Sequence, residues 1–429
     1  MRVLLICDAG DGLLDLALRA QAAGHKVKFF LRKWDARTRP IGKGLVEHVD
    51  NWRAWMEWAD LIVLESNGVY MSEMPFWRRR GCKIIGGDDQ SAAWELDRSK
   101  GMAVFKKAGI AVPPYREFTD YEEAIKFVER HGMPFYSKPC SDTADKSLSA
   151  KTGVDADPAW MLRKWKQKHG RPPCPFLLQE AISGVEFAVG AWFGPAGFAY
   201  GVEENHEFKK LFSGDVGPNC GEAGTVMRYV SRSKLAEKVL VPIEEQLAEL
   251  GYVGSIDVNT IIDDQDGAIW PLEFTVRCGY PSFNIELSML HWDPCEFLMA
   301  LASGESTKGA HILDTPTVGV VLALPPYPNP PRDYDEIVGV PLYGDVGDGW
   351  HPCEMMQGDN NALLASAGGY VGVAAGSAET VRAAARNAYR VLDHLSMPAS
   401  PFWRDDIGRR LRKDIPKLQE HGFAMGLVY

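Results

Sequence analysis

Two segments decide the fold class of this chain: GSIDVNTIID at residues 254–263 and WPLEFTVRCGYP at residues 270–281. Both are rich in β-branched and aromatic residues, and a polar turn, DDQDG at 263–267, lies between them. This pattern predicts two adjacent strands, Ser255–Ile262 and Ala268–Val276. Because successive side chains of a strand alternate between its faces, Asp257 and Glu273 can share one face of the pair.

The same alternation extends that face to Thr275 and Arg277. An acid, a hydroxyl and a base in a row are unusual in a hydrophobic core. Hard oxygen ligands beside a guanidinium suit Mg²⁺ bridging phosphates, with Arg277 stabilising charge on a transferring phosphoryl group. The residues also fit an exposed strand face with an internal salt bridge, and this alternative stays open here.

Length and composition indicate a globular protein of several lobes. The chain has 429 residues, of which 46% are hydrophobic and 24% charged, which argues against disorder. A formal net charge of −10 disfavours a general nucleic-acid binder, although Lys209 and Lys210 could belong to a local basic cleft. No apolar run of about 18 residues occurs, so no membrane span is predicted. Eight scattered cysteines without a Cys-x-x-Cys pair predict reduced thiols in a cytoplasmic protein.

Residues 1 to about 95 alternate predicted strands with helices, which indicates a parallel sheet covered on both faces. The strands are Arg2–Cys7, Lys26–Leu31, Leu61–Leu64 and Lys83–Ile85, and the helices include Leu13–Ala23 and a Trp-rich segment, Asn51–Trp58. The first turn contains Gly10 and Gly12, but Asp15 stands where a dinucleotide site requires a third glycine. We interpret it as a tight strand-to-helix turn, with a dinucleotide-dependent oxidoreductase as the weaker alternative.

The middle of the chain continues this mixture of elements. Predicted helices are Ser99–Ala108, Thr119–Arg130 with Thr119 as N-cap, Trp160–His169 and Ser233–Leu250. Predicted strands are Pro134–Lys138 and Phe176–Glu180, followed by a hairpin turned at Gly194–Gly197 and a polar, glycine-rich stretch, Asn205–Gly224. Pro325–Pro331 is interpreted as a linker to a small C-terminal lobe.

A possible nucleotide site lies in FLLQEAISGVE, residues 176–186. The chain contains no G-x-x-x-x-G-K-[ST] phosphate loop, so an ATP site must have another form. Backbone groups of Gln179–Ile182 could bind adenine between apolar walls, and Glu186 could accept the ribose hydroxyls. The segment also fits a plain strand, a turn and a surface acid.

Residues 207–224, EFKKLFSGDVGPNCGEAG, resemble the substrate segment of glycinamide ribonucleotide synthetase, also called phosphoribosylamine–glycine ligase. That family carries D-H-K-R…D-T-G-P-N-T-G-G-M-G there. The identical positions are Lys209, Asp215, Gly217, Pro218, Asn219, Gly221 and Gly224. LEFTVRCGYP at 272–281 is similar to the family's I-E-F-N-x-R-F-G-D-P, and Ser99-Lys100 to a Ser-Lys that opens a helix near ATP. The resemblance covers essentially the whole chain in order.

This resemblance implies an α/β protein with the ATP-grasp fold. Its expected parts are an N-terminal Rossmann-like parallel-sheet domain (1–97), an ATP-grasp core (98–320, with a lid at about 119–185) and a small α+β C-terminal domain (321–429). Implied ATP contacts are Lys100, Lys138, Lys146, Gln179, Glu180, Ile182 and Glu186. Glu273 would hold Mg²⁺ or Mn²⁺, with Asp257 and Thr275 as further ligands. Lys209, Asp215, Gly217, Pro218, Asn219 and Arg277 would line the substrate site, with Arg277 and Lys146 in catalytic roles.

Four departures from the family pattern affect the substrate more than the fold. The lid, KPCSDTADKS at 138–147, keeps Lys146 but has Ser141, Asp145 and Ser147 at glycine positions, which stiffens it and adds repulsion toward phosphates. Thr275 replaces a metal-binding asparagine. The family's G-R-E-H and G-P-E-A-P, which hold phosphoribosylamine, are replaced by Gly10-Asp-Gly-Leu13 and Glu65-Ser-Asn-Gly-Val69.

The sequence therefore predicts an ATP- and Mg²⁺-dependent carboxylate–amine ligase that forms an acyl phosphate. The carboxylate is glycine or a similar amino acid, and the acceptor is an amine on a sugar or nucleoside, including a modified nucleoside. The protein is expected to act on small molecules as a cytoplasmic monomer or homodimer, without membrane or nucleic-acid partners. The alternative is an inactive relative that serves as a nucleotide-binding or scaffold protein.

Overall fold

The computed structural model describes residues 1–8, 12–32, 40–131, 135–140, 158–329 and 336–429. Its N-terminal part is a four-stranded parallel sheet of order β2-β1-β3-β4. β3 is buried along its whole length, as expected for a parallel strand covered on both faces. The elements are β1 (Arg2–Cys7), α1 (Leu14–Ala22), β2 (Lys26–Leu31), β3 (Leu61–Leu64), α2 (Met74–Arg79), β4 (Ile84–Ile85) and α3 (Asp89–Leu96).

The prediction of a helix in the Trp-rich segment Asn51–Trp58 is wrong. Only Trp52–Trp55 form a short 3-10 turn, and the side chain of Asn51 accepts a hydrogen bond from the backbone of Arg53. The fully buried Trp52 packs against Tyr70 and Trp77, so aromatic packing rather than a helical face determines this segment.

A second layer follows the helix α4 (Arg98–Lys107), whose first turn is capped by the Asp97 carboxylate. Three antiparallel strands pair in the order β5-β7-β6 and pack on two helices. The elements are β5 (Tyr115–Phe118), α5 (Tyr121–His131), β6 (Phe135–Pro139), α6 (Pro158–His169) and β7 (Phe176–Glu180). The prediction of Thr119 as the N-cap of α5 is wrong by one residue. The carboxylate of Asp120 caps the helix instead, because it accepts hydrogen bonds from the backbone N–H groups of Glu122 and Glu123.

The largest sheet has nine strands, with the path β15-β14-β8-β10-β13-β16-β21-β18 and β9 beside β8. The first of its elements are β8 (Val185–Gly194), β9 (Gly197–Phe198), β10 (Val202–Glu207), β11 (Lys210–Phe212), β12 (Val216–Asn219), β13 (Gly224–Val230), α7 (Lys234–Val239), α8 (Glu244–Glu249), β14 (Gly254–Ile262), β15 (Ile269–Thr275), α9 (Ser282–Ser288) and α10 (Pro294–Ser303). β11 and β12 form a separate hairpin. The hairpin predicted at Gly194–Gly197 is present.

Two predictions for this region are wrong. The expected polar stretch Asn205–Gly224 contains the end of β10 and the β11–β12 hairpin. The expected single helix Ser233–Leu250 is divided into α7 and α8 by a 3-10 turn at Val241–Ile243, since Pro242 has no N–H for a continuous helix.

The C-terminal part adds strands to the same large sheet. Its elements are β16 (Thr317–Ala323), β17 (Pro341–Gly344), β18 (Trp350–Pro352), β19 (Met355–Gln357), β20 (Leu363–Ala365), β21 (Tyr370–Ser377), α11 (Val381–Asp393), β22 (Leu395–Ser396) and α12 (Leu411–Glu420). β16 pairs with β13 on one side and β21 on the other, so the sheet continues through residue 320, where the sequence predicts a domain boundary. A second sheet, β19-β20-β17-β22, completes this α+β part.

A buried hydrogen-bond chain joins the three parts of the molecule. Asp15 of α1 accepts from His351 Nδ1 at 2.6 Å, and His351 Nε2 lies 2.7 Å from Ser288 Oγ of α9. His351 is fully buried, so these polar contacts fix the relative positions of the elements. All eight cysteines are described, and none forms a disulfide. Among the described helices, none combines the length and apolarity that a membrane-spanning helix requires.

Candidate active site

The antiparallel register of β14 and β15 brings the predicted acidic residues to one face. Asp257 lies opposite Thr275, and Asn259 lies opposite Glu273. Side chains that are directly opposite in an antiparallel pair project from the same face of the sheet. Asn259, which the sequence analysis missed, therefore stands beside the acids with an amide oxygen that a metal ion could use.

Arg277 departs from this arrangement. β15 ends at Thr275, so the prediction that Arg277 continues the strand face is wrong and the residue lies in the loop that follows. Its Nε donates to Glu95 at 3.2 Å, and its Nη1 donates to the carbonyl of Cys278 at 2.9 Å. Burial lowers the pKa of Arg277, but the neighbouring Glu95 carboxylate outweighs it and raises that pKa above its ordinary value. Arg277 is a fixed cation at the end of the strand.

Three cations surround Glu273. Arg98, at the start of α4, forms an ion pair with it, and Lys209 Nζ lies 3.8 Å from its Oε1. Lys138 of β6 donates to the carbonyl of Leu272, the preceding residue, at 3.4 Å. Burial raises the pKa of Glu273, but Arg98, Lys209 and Lys138 together hold it below its ordinary range. The carboxylate is therefore charged in a strongly cationic setting.

The pKa values of Lys138 and Lys209 shift in opposite directions. Burial lowers the pKa of Lys138 to about 7, reinforced by Arg98 and Lys209 and opposed by Glu273. Burial also lowers the pKa of Lys209, but the carboxylates of Glu207, Glu186 and Glu273 hold it well above its ordinary value. Lys209 contacts Glu207 at 3.1 Å. Positive charge concentrated in a partly buried cleft is the arrangement that binds polyphosphates.

The opposite wall of this cleft is the end of the three-stranded sheet. Gln179 of β7 lies opposite Tyr136 and is buried, and its Nε2 lacks a hydrogen-bond partner among the described residues. Glu180, the last residue of β7, and Ile182, on the link to β8, are half-buried, and Glu186 of β8 is exposed. Burial, then the charge of Glu186, raises the pKa of Tyr136. The structure therefore brings Glu186 close to Tyr136 and Lys209.

Lys100 does not join the cations around Glu273. Its side chain is 65% exposed, and its Nζ lies 3.8 Å from the carboxylate of Asp97, the N-cap of α4. Arg98, two residues before it, makes the contact with Glu273 instead. The sequence signal for Arg98 was weak because no family motif marked it. Lys146 and the lid positions Ser141, Asp145 and Ser147 lie outside the described residues.

The predicted substrate segment is divided between the cleft and the surface. Lys209 lies at Glu273, whereas Gly217, Pro218 and Asn219 form the exposed strand β12. Asp215 is paired with Arg404 at 2.9 Å and Arg410 at 3.5 Å, two residues near the C-terminal end of the chain. These pairs fasten the β11–β12 hairpin beside the cleft.

A group of buried acids lies behind Asp257 and was missed by the sequence analysis. Asn205 Nδ2 donates to Glu203 Oε1 at 2.6 Å and to Asp257 Oδ2 at 2.8 Å. Burial, followed by the charges of Glu203 and Glu207, raises the pKa of Asp257 well above its ordinary value. The period-two spacing of positions 203, 205 and 207 in VEENHE was the available signal.

This group has unsatisfied oxygen atoms. Asp257 Oδ1 and Asn205 Oδ1 are buried and lack hydrogen-bond partners in the part of the chain that the structure describes. Carboxylate and amide oxygens are the ligands that Mg²⁺ prefers, and buried polar atoms without partners are costly. The donor set of Asp257, Glu273 and Asn259 therefore fits a divalent cation.

This chain is similar to known proteins in both sequence and fold. Residues 98–282 match the family model for the phosphoribosylglycinamide synthetase ATP-grasp (A) domain. The phosphoribosylamine–glycine ligase of Ralstonia nicotianae is 26% identical over 344 residues, covering 78% of this chain and 80% of the relative. The corresponding ligase of Streptococcus pneumoniae R6 is 27% identical over 352 residues, covering 79% and 80%.

Solved structures show the same fold. The phosphoribosylamine–glycine ligase of Thermotoga maritima superposes with a TM-score of 0.71 at 19% identity, covering 95% of this chain and 100% of that one. The N5-carboxyaminoimidazole ribonucleotide synthetase of the same organism gives a TM-score of 0.60 at 16% identity, covering 93% and 100%. With its cationic cleft between two sheets, the chain is an ATP-dependent ligase of the ATP-grasp type that resembles phosphoribosylamine–glycine ligase.

Proposed function

We propose that this protein joins the carboxylate of glycine or a similar amino acid to an amine on a sugar or nucleoside. The observation that carries the proposal is the position of Glu273 among Arg98, Lys138 and Lys209, with Glu186 near enough to raise the pKa of both lysines. In this proposal adenine binds at Gln179–Ile182, the ribose binds at Glu186, and the phosphates extend toward the cations.

The reaction has two steps. A carboxylate oxygen attacks the terminal phosphorus of ATP, and ADP leaves with the electrons of the broken bond. The amine then attacks the acyl carbon, inorganic phosphate leaves, and the amine loses a proton. Phosphoryl transfer requires positioning and charge neutralisation more than a protein nucleophile. Lys138, Lys209 and Arg98 supply that positive charge along the phosphate path.

Glu273 and Asp257 would hold Mg²⁺, with Thr275 and Asn259 beside them. The bound ion supplies charge neutralisation between phosphate oxygens. We also assign Lys146 and Arg277 to the stabilisation of transferring charge, and Lys100 to the outer phosphates. Asp215, Gly217, Pro218 and Asn219 would form the wall of the carboxylate site. We further propose that the enzyme works in the cytoplasm as a monomer or homodimer, with domains at 1–97, 98–320 and 321–429.

The test is ADP release from ATP and Mg²⁺ with glycine and a panel of sugar and nucleoside amines. We expect release only when both glycine and a suitable amine are present, with a product whose mass equals their sum less water. Failure to bind ATP in calorimetry would overturn the proposal. ATP binding without turnover across the panel would favour the alternative of a nucleotide-binding scaffold.

A second prediction concerns the protonation of Lys138. Burial lowers its pKa to about 7, so the amine is largely neutral at about pH 8 before nucleotide binds. The negative charge of a bound triphosphate raises the pKa of Lys138 again, although the positive charges of Arg98 and Lys209 oppose this rise. Lys138 therefore becomes protonated when ATP binds, so binding takes up about one proton at about pH 8. ATP affinity should therefore fall as the pH rises above 7.

Calorimetry at about pH 8 in two buffers of different ionisation enthalpy measures this uptake. The Lys138→Met variant should lose it and bind ATP more weakly. Lys168→Met, which removes an exposed lysine of α6, is the matched control and should keep the uptake. Equal uptake in wild type and the Lys138 variant would show that another group binds the proton.

A further inference from the structure

Three side chains with different donor atoms meet where the start of α10 approaches the connection between α1 and β2. They are His25, Asp293 and Cys295, and in the part of the chain that the structure describes they form a group of metal-ligating residues. One imidazole nitrogen, one carboxylate oxygen and the thiol sulfur all lie within 4.8 Å of one another. Because Zn²⁺ holds such atoms at about 2.0–2.3 Å, side-chain shifts of about 1 Å bring them around one ion.

The start of α10 fixes two of these side chains. Asp293 is the N-cap of the helix, and its Oδ1 accepts from the backbone N–H groups of Cys295 at 2.8 Å and Glu296 at 3.0 Å. Pro294, the first residue of the helix, further restricts the backbone between them. The hydrogen bonds of the Asp293 side chain to the described residues all use Oδ1, so Oδ2 remains for a ligand. Asp293 and Cys295 are therefore held on a rigid element, as a preorganised site requires.

His25 reaches the same point from a distant part of the sequence. It stands 268 positions before Asp293, and its Nε2 lies 3.0 Å from Asp293 Oδ1. Its Nδ1 lies 3.1 Å from the amino group of Met1, and its backbone N–H donates to the carbonyl of Ala20 at 2.9 Å. Contacts on both sides of the ring therefore fix its orientation, with Nε2 directed at the carboxylate.

The burial of the cluster suits a bound ion. The side chains of His25 and Asp293 are 11% and 17% exposed, whereas Cys295 is fully buried. An ion therefore reaches the cluster from the solvent past His25 and Asp293, and the sulfur lies on the protein side of it. A metal ligand must be deprotonated, so the thiol of Cys295 releases its proton to solvent as the sulfur–metal bond forms.

The donor atoms indicate the class of ion. Imidazole nitrogen and thiolate sulfur suit Zn²⁺, whereas Mg²⁺ and Ca²⁺ prefer oxygen ligands. The carboxylate and the thiolate each carry one negative charge, and together they balance a divalent cation. A set of three protein ligands leaves the fourth tetrahedral position to water.

We propose that His25, Asp293 and Cys295 bind one Zn²⁺ ion, with water as the fourth ligand. The ion joins the N-terminal parallel sheet to α10, which packs against α1, β3 and β4. An ion that binds only the folded chain shifts the folding equilibrium toward it, so the bound ion stabilises this junction. The site has different ligands from the Mg²⁺ site assigned to Glu273 and Asp257, and the inference does not depend on the proposed function.

The test uses Co²⁺ as the probe on the full-length protein, with Zn²⁺ as the competitor. Co²⁺ occupies zinc sites, and a bond between Co²⁺ and a thiolate absorbs in the near ultraviolet. Excess Mg²⁺ is present, and Co²⁺ bound only by oxygen atoms at Glu273 and Asp257 would not give this absorption. The wild type should develop the absorption up to about one Co²⁺ per chain, and Zn²⁺, which binds nitrogen and sulfur sites more tightly, should abolish it.

Two variants and one control locate the site. Cys295→Ser should lose the absorption, and His25→Asn, which keeps the thiol, should bind Co²⁺ more than about tenfold more weakly. Cys174→Ser removes a half-buried thiol outside the cluster and should behave as the wild type. Saturating Zn²⁺ should raise the melting temperature of the wild type by at least about 2 °C, and should leave that of His25→Asn unchanged.

Absence of the thiolate absorption in the wild type would overturn the inference. Absorption that persists in Cys295→Ser, or unchanged Co²⁺ affinity in His25→Asn, would overturn it too. If Cys295→Ser does not fold, His25→Asn decides the matter, because it leaves the buried thiol in place. ADP release is not measured in this experiment, so its result is independent of the ligase activity.

Discussion

Replacing Glu273 with glutamine should abolish Mg²⁺-dependent ADP release while leaving the fold intact. Glu273 is the carboxylate on which Arg98, Lys138 and Lys209 converge, and the amide of glutamine cannot neutralise a divalent ion. Mutation of residues that only orient metal ligands lowers metal affinity or activity by about 10- to 100-fold. We therefore expect the rate of ADP release to fall by more than about 100-fold when the metal ligand Glu273 itself is changed. Steady-state kinetics over a Mg²⁺ titration measures the effect.

Glu305→Gln provides the matched control, because Glu305 is an exposed acid just after the end of α10. Circular dichroism of both variants should match that of the wild type. Full turnover of the Glu273 variant at saturating Mg²⁺ would show that the metal is held by other residues.

Replacing Arg404 with methionine should destabilise the protein by about 3–5 kcal/mol, the typical cost of breaking a buried ion pair. The guanidinium is almost fully buried and donates to Asp406 at 2.8 Å, to Asp215 at 2.9 Å and to the carbonyl of Lys210 at 3.0 Å. Methionine fills similar space but leaves these acceptors without a donor. The urea dependence of tryptophan fluorescence measures the loss in the free energy of unfolding.

Arg409→Met tests whether any loss of charge in this segment has the same effect, because Arg409 is exposed. We expect the free energy of unfolding of the Arg409→Met variant to differ from that of the wild type by less than about 0.5 kcal/mol. Because Arg404 holds the β11–β12 hairpin, its loss should also weaken substrate binding through Lys209. Equal stability of the Arg404 and Arg409 variants would show that the buried pairs contribute nothing net.

The features that were predicted correctly from the sequence are those that depend on the local pattern of polar and apolar residues. The apolar runs of β1, β2 and β3 are bounded by polar residues, so their predicted limits match the structure. The antiparallel pair that carries Asp257 and Glu273 was also predictable, because period two fixes the face. Both the fold class and the resemblance are confirmed by the comparisons.

What the sequence could not predict depends on tertiary contacts. Glu207 fell in the predicted polar stretch Asn205–Gly224, and the burial of Glu203 was not predicted, because acids are rarely buried unless other groups or an ion balance them. Arg98 reaches Glu273 only because α4 packs against β15. Similarly, Glu65 approaches Asp8 because β1 and β3 are neighbours in the sheet, which spacing along the chain does not reveal.

A crystal structure with Mg²⁺ and a non-hydrolysable ATP analogue would test the nucleotide site itself. We expect the adenine against Gln179–Ile182, the phosphates among Lys138, Lys209 and Arg98, and a metal ion about 2.1 Å from a Glu273 oxygen. Nucleotide bound elsewhere, or a metal ion that does not touch Glu273, would contradict the proposed site.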